Sequence, residues 1–234
     1  MQKLKGILFD FNGTLFFDSR MHMEAFRKAV PHYGVAAPTD EFMIKNIFGS
    51  TNADIFRKFI NANATDAECA EFNDRKVGLY FDICLASPEK FRLADGAAEM
   101  LDFLKENGVP YCIATGSNRE EMDFFIKHLG LERWFSFDEN ILYTDGSFKG
   151  KPAPDCYILA AKKLGLTPAE CLVFEDGTTG MLSATAAGAG VLVAMYESGM
   201  PDPVSDRARV DAVYHDFHNW RELLSRYGLF NERT

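Results

Sequence analysis

The chain has 234 residues, 47% of them hydrophobic and 25% charged, with 34 acidic side chains against 25 basic ones and a formal net charge of −9. This is globular composition, which excludes wholesale disorder and fibrous classes. The negative field also excludes a general binder of the nucleic-acid phosphate backbone, so an anionic ligand must be held by a local positive site.

In chain order, residues 6–10 form a short apolar run that stops at an acid and is followed by Asn12-Gly13-Thr14. That pattern predicts a buried parallel strand and a sharp loop. From about residue 17 to 83 the spacing turns helical. Met21, Met23, Ala25, Phe26, Ala29 and Val30 mark one helix, and Phe42, Ile44, Ile47 and Phe48 a second. Ile55, Phe56, Phe59 and Ile60 mark a third, and Cys69, Phe72, Val77, Tyr80 and Phe81 a fourth. After Ser87-Pro88 strands and helices alternate. Strands are predicted over 110–115, 141–143, 171–175, 191–195 and 212–215, and helices over 96–106, 119–129, 155–164, 179–187 and near Trp220. Alternation of this kind means a doubly wound parallel sheet. The expected architecture is a Rossmann-like α/β core, residues 1–16 and 88–234, split by an all-helical cap, residues 17–87. Hinges are expected near residues 16–18 and 87–92, and closure about them would exclude water from the site.

Cys69, Cys84, Cys112, Cys156 and Cys171 are odd in number, widely spaced and contain no C-x-x-C pair. A disulfide framework or structural zinc site is not expected, and a reducing cytoplasm is. The run Ile7-Leu8-Phe9 is too short for a signal peptide. The apolar stretch 191–196 falls far below the roughly 18 residues of a membrane span.

Ligands of open α/β sheets sit outside the carboxyl ends of the strands. Four segments bring reactive residues there: Asp10, Thr115, Lys151 and the pair Glu175-Asp176. A carboxylate nucleophile, a hydroxyl, an ammonium and two metal-binding acids together suit phosphoryl transfer through an aspartyl-phosphate, which splits one hard displacement into two easier ones. Mg²⁺ takes oxygen ligands, which Asp10 and Asp176 could share. Lys151 and the amides after Asp10 and Thr115 would hold the phosphoryl oxygens.

Asp10-Phe11-Asn12-Gly13-Thr14, Ala114-Thr115-Gly116-Ser117-Asn118, Gly150-Lys151-Pro152-Ala153-Pro154-Asp155 and the segment from Phe174-Glu175-Asp176-Gly177 to Gly180 resemble the four ordered motifs of the haloacid dehalogenase superfamily. The cap position and Asp18-Ser19-x-x-His22 are most similar to its β-phosphoglucomutase and sugar-phosphatase branch. The resemblance implies Asp10 as nucleophile, with Thr115 and Lys151 on the phosphoryl group and Gly116, Ser117, Asn118 and His22 as substrate contacts. It implies Mg²⁺ held by Asp10, the backbone carbonyl of Asn12 and Asp176, with Glu175 at or behind the metal. The implied partner is a small phosphorylated metabolite.

Asn12 departs from the resemblance, which places a second aspartate there as acid and base. A carboxamide can hydrogen-bond but cannot transfer a proton, a function worth roughly 10²–10⁴-fold in rate. Three readings follow: substrates with good leaving groups such as acyl phosphates or anhydrides, a catalytically weak phosphate-ligand binding protein, or an engineered change. Deamidation of Asn12-Gly13 is a fourth. A mutase would need basic cap residues for a distal phosphate. Residues 48–52 carry no arginine, Asp82 stands where a lysine is expected, and Lys45 and Arg57 read as solvated helix charges. A phosphatase is therefore favoured over a mutase, with a dehalogenase or phosphonatase a distant third. His22 is read either as a proton shuttle or substrate contact at the hinge, or as an ordinary polar residue of a helix face. Gly177 replaces a serine that the resemblance expects.

Overall fold

The computed structural model describes residues 3–47, 50–200 and 208–230. It divides into two compact units, Met1–Phe17 with Leu93–Thr234, and Asp18–Arg92. The second unit is built from α1 (Ser19–Ala29), α2 (Asp40–Asn46), α3 (Asn52–Phe59) and α4 (Asp66–Ala86), with no strand among its described residues. Its core is aromatic. Phe72 of α4 lies edge-on to Phe26 of α1 at 5.9 Å and tilts against Phe56 of α3 at 4.9 Å. The 21-residue α4 starts at a reciprocal cap between Thr65 and Glu68, which satisfies amides that the first helical turn leaves orphaned. Ile47 ends α2 as its C-cap, and Phe48, expected on the same helix, lies outside the described residues.

Among its described residues the first unit holds one parallel sheet of six strands: β1 (Gly6–Phe9), β2 (Tyr111–Ala114), β3 (Ile141–Leu142), β4 (Cys171–Glu175), β5 (Val191–Met195) and β6 (Ala212–Tyr214). The order is β3-β2-β1-β4-β5-β6. The chain winds outward from β1 to β3, then crosses to β4 on the other side of β1 and winds outward again. The carboxyl ends of β1, β2 and β4 therefore flank the place where strand order reverses, where the connecting loops part and leave a crevice. Every residue of β1, β2, β4 and β5 is buried, which is why these strands read as continuous apolar runs rather than as alternation.

Side chains still alternate between the two faces of the sheet. Leu8, Cys112, Val173 and Leu192 share one face with Tyr157, Ala160 and Ala161 of α7 (Asp155–Lys163) and Met181 and Ala184 of α8 (Thr178–Ala187). The neighbouring Phe9 and Phe174 point the other way. Their rings stack at 5.2 Å and both meet Phe217 edge-on, at 6.3 and 5.2 Å. α5 (Ala97–Glu106), α6 (Arg119–Leu129) and α9 (Trp220–Arg226) follow the expected positions, and the Asn118 side chain caps α6.

Among the described residues, three short 3-10 turns, Val30–Tyr33, Leu131–Arg133 and Pro168–Glu170, are not expected from the pattern. Three or four residues are too few to show a period. Among the described residues no helix is long and apolar enough to cross a membrane.

Candidate active site

Register places the first acid. β1 pairs with both β2 and β4 such that Phe9 lies opposite Ile113 and Phe174, and the Asp10 amide donates to the Phe174 carbonyl at 2.9 Å. Asp10 thus leaves the sheet beside Glu175 and the end of β2. The Lys151 ammonium bridges them, 2.5 Å from Asp10 Oδ1 and 2.6 Å from Glu175 Oε1. The loop carrying this lysine is pinned from α8, where the buried Ser183 hydroxyl donates to the Ala153 carbonyl at 2.6 Å. The Lys151–Pro152 peptide bond is cis.

Glu175 is held at both oxygens. The Tyr157 hydroxyl donates to Oε1 at 3.0 Å and the Gly177 amide to Oε2 at 2.8 Å. The contact from residue 177 comes from backbone, so glycine there costs nothing at that oxygen. Two other glycines are demanded by carboxylates. A methyl group on Gly180 would overlap Glu175, and one on Gly13, whose φ is +77°, would overlap Asp176.

The electrostatics follow from burial. Desolvation, opposed by Lys151 and reinforced by Glu175, pushes the Asp10 carboxyl up to about 7. Burial works against the Lys151 ammonium, but the Asp10 and Glu175 carboxylates outweigh it and hold its pKa well above the usual value. The Tyr157 phenol is raised by burial and then by the Glu175 charge, so it remains a donor.

Asp10, Glu175 and Asp176 each offer an oxygen within 4.8 Å of the others'. This all-oxygen, all-carboxylate set suits a hard divalent cation such as Mg²⁺, and the group contains no histidine or thiolate that would select a softer metal.

On the β2 side, Thr115 is buried and its amide donates to the Leu142 carbonyl at 3.0 Å. The Ser117 amide donates to Thr115 Oγ1 at 3.1 Å, and the Ser117 hydroxyl donates to Asn12 Oδ1 at 2.9 Å. Ser117 thereby ties the loop after β2 to the loop after β1. Gly116 is exposed. The Asn118 side chain accepts from the Glu121 amide at 2.9 Å, so Asn118 caps the following helix. At α8 the capping position is Gly177, and Thr178 is the first helical residue.

His22 belongs to the helical unit. Its ring stacks on Tyr80 with centroids 4.1 Å apart. Its Nε2 lies 3.1 Å from Asp18 Oδ2 and its Nδ1 2.6 Å from the Lys76 ammonium. An ammonium can only donate, so Nδ1 accepts and Nε2 carries the hydrogen that faces Asp18. The Tyr80 hydroxyl donates to the same Asp18 oxygen at 2.5 Å. Sequence reasoning missed Lys76, Tyr80 and Tyr157. For the first two the available signal was the pair of four-residue spacings, 18 to 22 and 76 to 80, which put polar groups on the buried stripes of two helices. For Tyr157 it was a phenol on an otherwise apolar, small-residue helix face, where a buried hydroxyl needs a partner. Arg57 pairs with Asp66 and the Ala64 carbonyl, and Lys45 is exposed.

A sequence model of the haloacid dehalogenase-like hydrolases matches residues 4–188. The chain is 30% identical over 207 residues to Protein CbbY of Rhodobacter capsulatus, covering 87% of this chain and 90% of that protein. It is 28% identical over 187 residues to the fructose-1-phosphate phosphatase YqaB of Escherichia coli, covering 80% and 94%. Among solved structures it is similar to a family IA, variant 3 hydrolase of the same superfamily from Entamoeba histolytica. That match has a TM-score of 0.83 and 32% identity, and it covers 92% of this chain and 95% of the other.

Proposed function

The chain belongs to the haloacid dehalogenase-like hydrolases, and from that premise we propose a Mg²⁺-dependent phosphatase that acts on a small phosphorylated metabolite, a sugar phosphate or a phosphate with a better leaving group. The observation that carries the proposal is the part-buried contact of Asp10 with Lys151 at the point where strand order reverses, with two further carboxylates beside it. Similarity to a phosphatase named for fructose 1-phosphate supports a sugar phosphate as substrate class.

Asp10 is the nucleophile, held at the strand end by its amide bond to Phe174 and oriented by Lys151. Lys151 and the Thr115 hydroxyl hold the phosphoryl oxygens with the Gly116 amide beside them, and Ser117 and Asn118 complete the substrate-contacting loop. Asp10, Asp176 and the Asn12 carbonyl, with Glu175 beside or behind them, would hold Mg²⁺, which would supply neutralisation of the phosphoryl charge. Glu175 keeps Lys151 charged and in place. His22, in the helical unit, is held between the Lys76 ammonium and the Asp18 carboxylate.

A second reading is a catalytically weak phosphate-ligand binding protein, favoured by Asn12, which transfers no proton. A mutase is less favoured: Arg57 is already paired with Asp66. Five unpaired, buried cysteines fit a reducing compartment, and we place the protein in the cytoplasm.

Phosphate release from sugar phosphates, nucleotides, acetyl phosphate and pyrophosphate, with Mg²⁺ and with EDTA, tests the reading. Metal-dependent release that disappears in Asp10→Asn supports it. Binding of phosphorylated ligands with no release from any compound would instead establish the binding protein.

A further inference from the structure

A phosphoryl donor whose leaving oxygen departs as an alkoxide needs a proton delivered to that oxygen, whereas a carboxylate or phosphate departs as a stable anion without one. In the sheet unit the Lys151 and Tyr157 donors beside Asp10 are directed at carboxylates of the site itself. Lys151 donates to Asp10 and Glu175, and Tyr157 donates to Glu175. The Thr115 hydroxyl oxygen accepts from the Ser117 amide. The residue two positions after the nucleophile is a carboxamide, and its oxygen accepts from the Ser117 hydroxyl across 105 residues of sequence. In the helical unit the His22 ring nitrogens face Lys76 and Asp18.

We propose that Ser117 is a positioning residue that locks Asn12 as a non-ionising wall of the site, and that the site consequently selects phosphoryl donors of the acyl phosphate or phosphoanhydride class. The proposal rests on the phosphatase reading above and narrows its substrate. In the first step an Asp10 oxygen bonds to phosphorus as the bond from phosphorus to the leaving oxygen breaks, and the electron pair departs on a carboxylate or phosphate anion with no proton required. In the second, water bonds to phosphorus, the bond to Asp10 breaks to restore its carboxylate, and both protons of the water leave on inorganic phosphate. Neither step passes a proton through residue 12.

The test is kcat/KM with Mg²⁺ for three donors of decreasing leaving-group stability: acetyl phosphate, p-nitrophenyl phosphate and an alkyl phosphate such as fructose 1-phosphate. The wild-type protein should fall steeply along that order. Asn12→Asp should raise the alkyl phosphate by about 10²–10⁴-fold, the ordinary worth of a positioned general acid, and flatten the dependence. Adding Ser117→Ala to Asn12→Asp should take back part of the alkyl gain and lower the alkyl phosphate rate by a larger factor than the acetyl phosphate rate. A flat wild-type dependence overturns the substrate class. So does a His22→Gln variant that loses only the alkyl phosphate, because His22 would then supply the proton. An equal effect of Ser117→Ala on all donors overturns the positioning role. Release that survives Asp10→Asn, or no release from any donor by either protein, overturns the phosphatase reading itself, an outcome distinct from the others.

Discussion

Tyr157 donates its hydroxyl to Glu175 Oε1 from the first turns of α7, at 3.0 Å, in a position fully shielded from solvent. The phenol and the Lys151 ammonium reach the same carboxylate oxygen, and the ammonium also lies 5.0 Å from the centre of the phenol ring. Replacing Tyr157 with Phe keeps the volume and removes one donor from a buried charge. The expected cost is about 1–3 kcal/mol in urea unfolding. The Mg²⁺ concentration for half-maximal phosphate release should also rise, by about 10–100-fold, because groups that orient a ligating carboxylate tune the metal through it. An unchanged Mg²⁺ dependence would detach Glu175 from the metal.

Gly180 lies inside α8, where alanine ordinarily stabilises a helix by about 1 kcal/mol. Here the sign should invert, because the added methyl overlaps the Glu175 carboxylate. Gly180→Ala is expected to lower the melting temperature and reduce turnover, whereas Gly188→Ala, at a left-handed helix end with open space around it, should lower stability alone. Thermal melts and phosphate release on both variants check this.

In the helical unit, Asp18 and Lys76 are buried at the two ends of a chain that runs through His22. Lys76→Met should cost about 3 kcal/mol by leaving a buried carboxylate without its balancing cation. Asp18→Asn combined with Lys76→Met should cost less than the sum of the single changes, since each removes the reason for the other. Urea denaturation of the three variants measures the coupling, and strict additivity would contradict it.

Glu170 pairs with Lys5 at 2.5 Å and accepts from the Thr167 amide and hydroxyl, which lowers its pKa to about 2. A depressed folded-state value means stability present above the unfolded pKa and lost as pH falls toward about 2. Glu170→Gln should therefore melt below the wild type at pH 7, with the two melting curves converging between pH 4.5 and about 2. A gap that persists at pH 2 would place the effect in packing instead.

Much of this was legible because strand burial and helix period are local signals. The apolar run 171–175 and the periodic stretch 119–129 coincide with β4 and with the capped helix. Asp10, Glu175 and Asp176, at or just past strand ends, and Lys151, in the loop after β3, were legible for the same reason: parallel strands deliver their carboxyl ends to one edge. Contacts made across the fold were not. Ser117 reaching Asn12, Tyr80 reaching Asp18 and Ser183 reaching the Lys151 loop join segments 105, 62 and 30 residues apart. No periodicity encodes such pairs. Asn12 itself was conspicuous in the sequence, but its hydroxyl partner became visible only once the two loops were in place.

The central claim is that Asp10 carries the phosphoryl group during turnover. Rapid acid quench of the protein mixed with Mg²⁺ and acetyl phosphate, followed by peptide mass spectrometry, tests it directly. The account predicts one phosphoryl group on the peptide containing Asp10, at a carboxylate and labile to base, and none in Asp10→Asn. Turnover with no protein-bound phosphoryl group, or with one on another side chain, would contradict it.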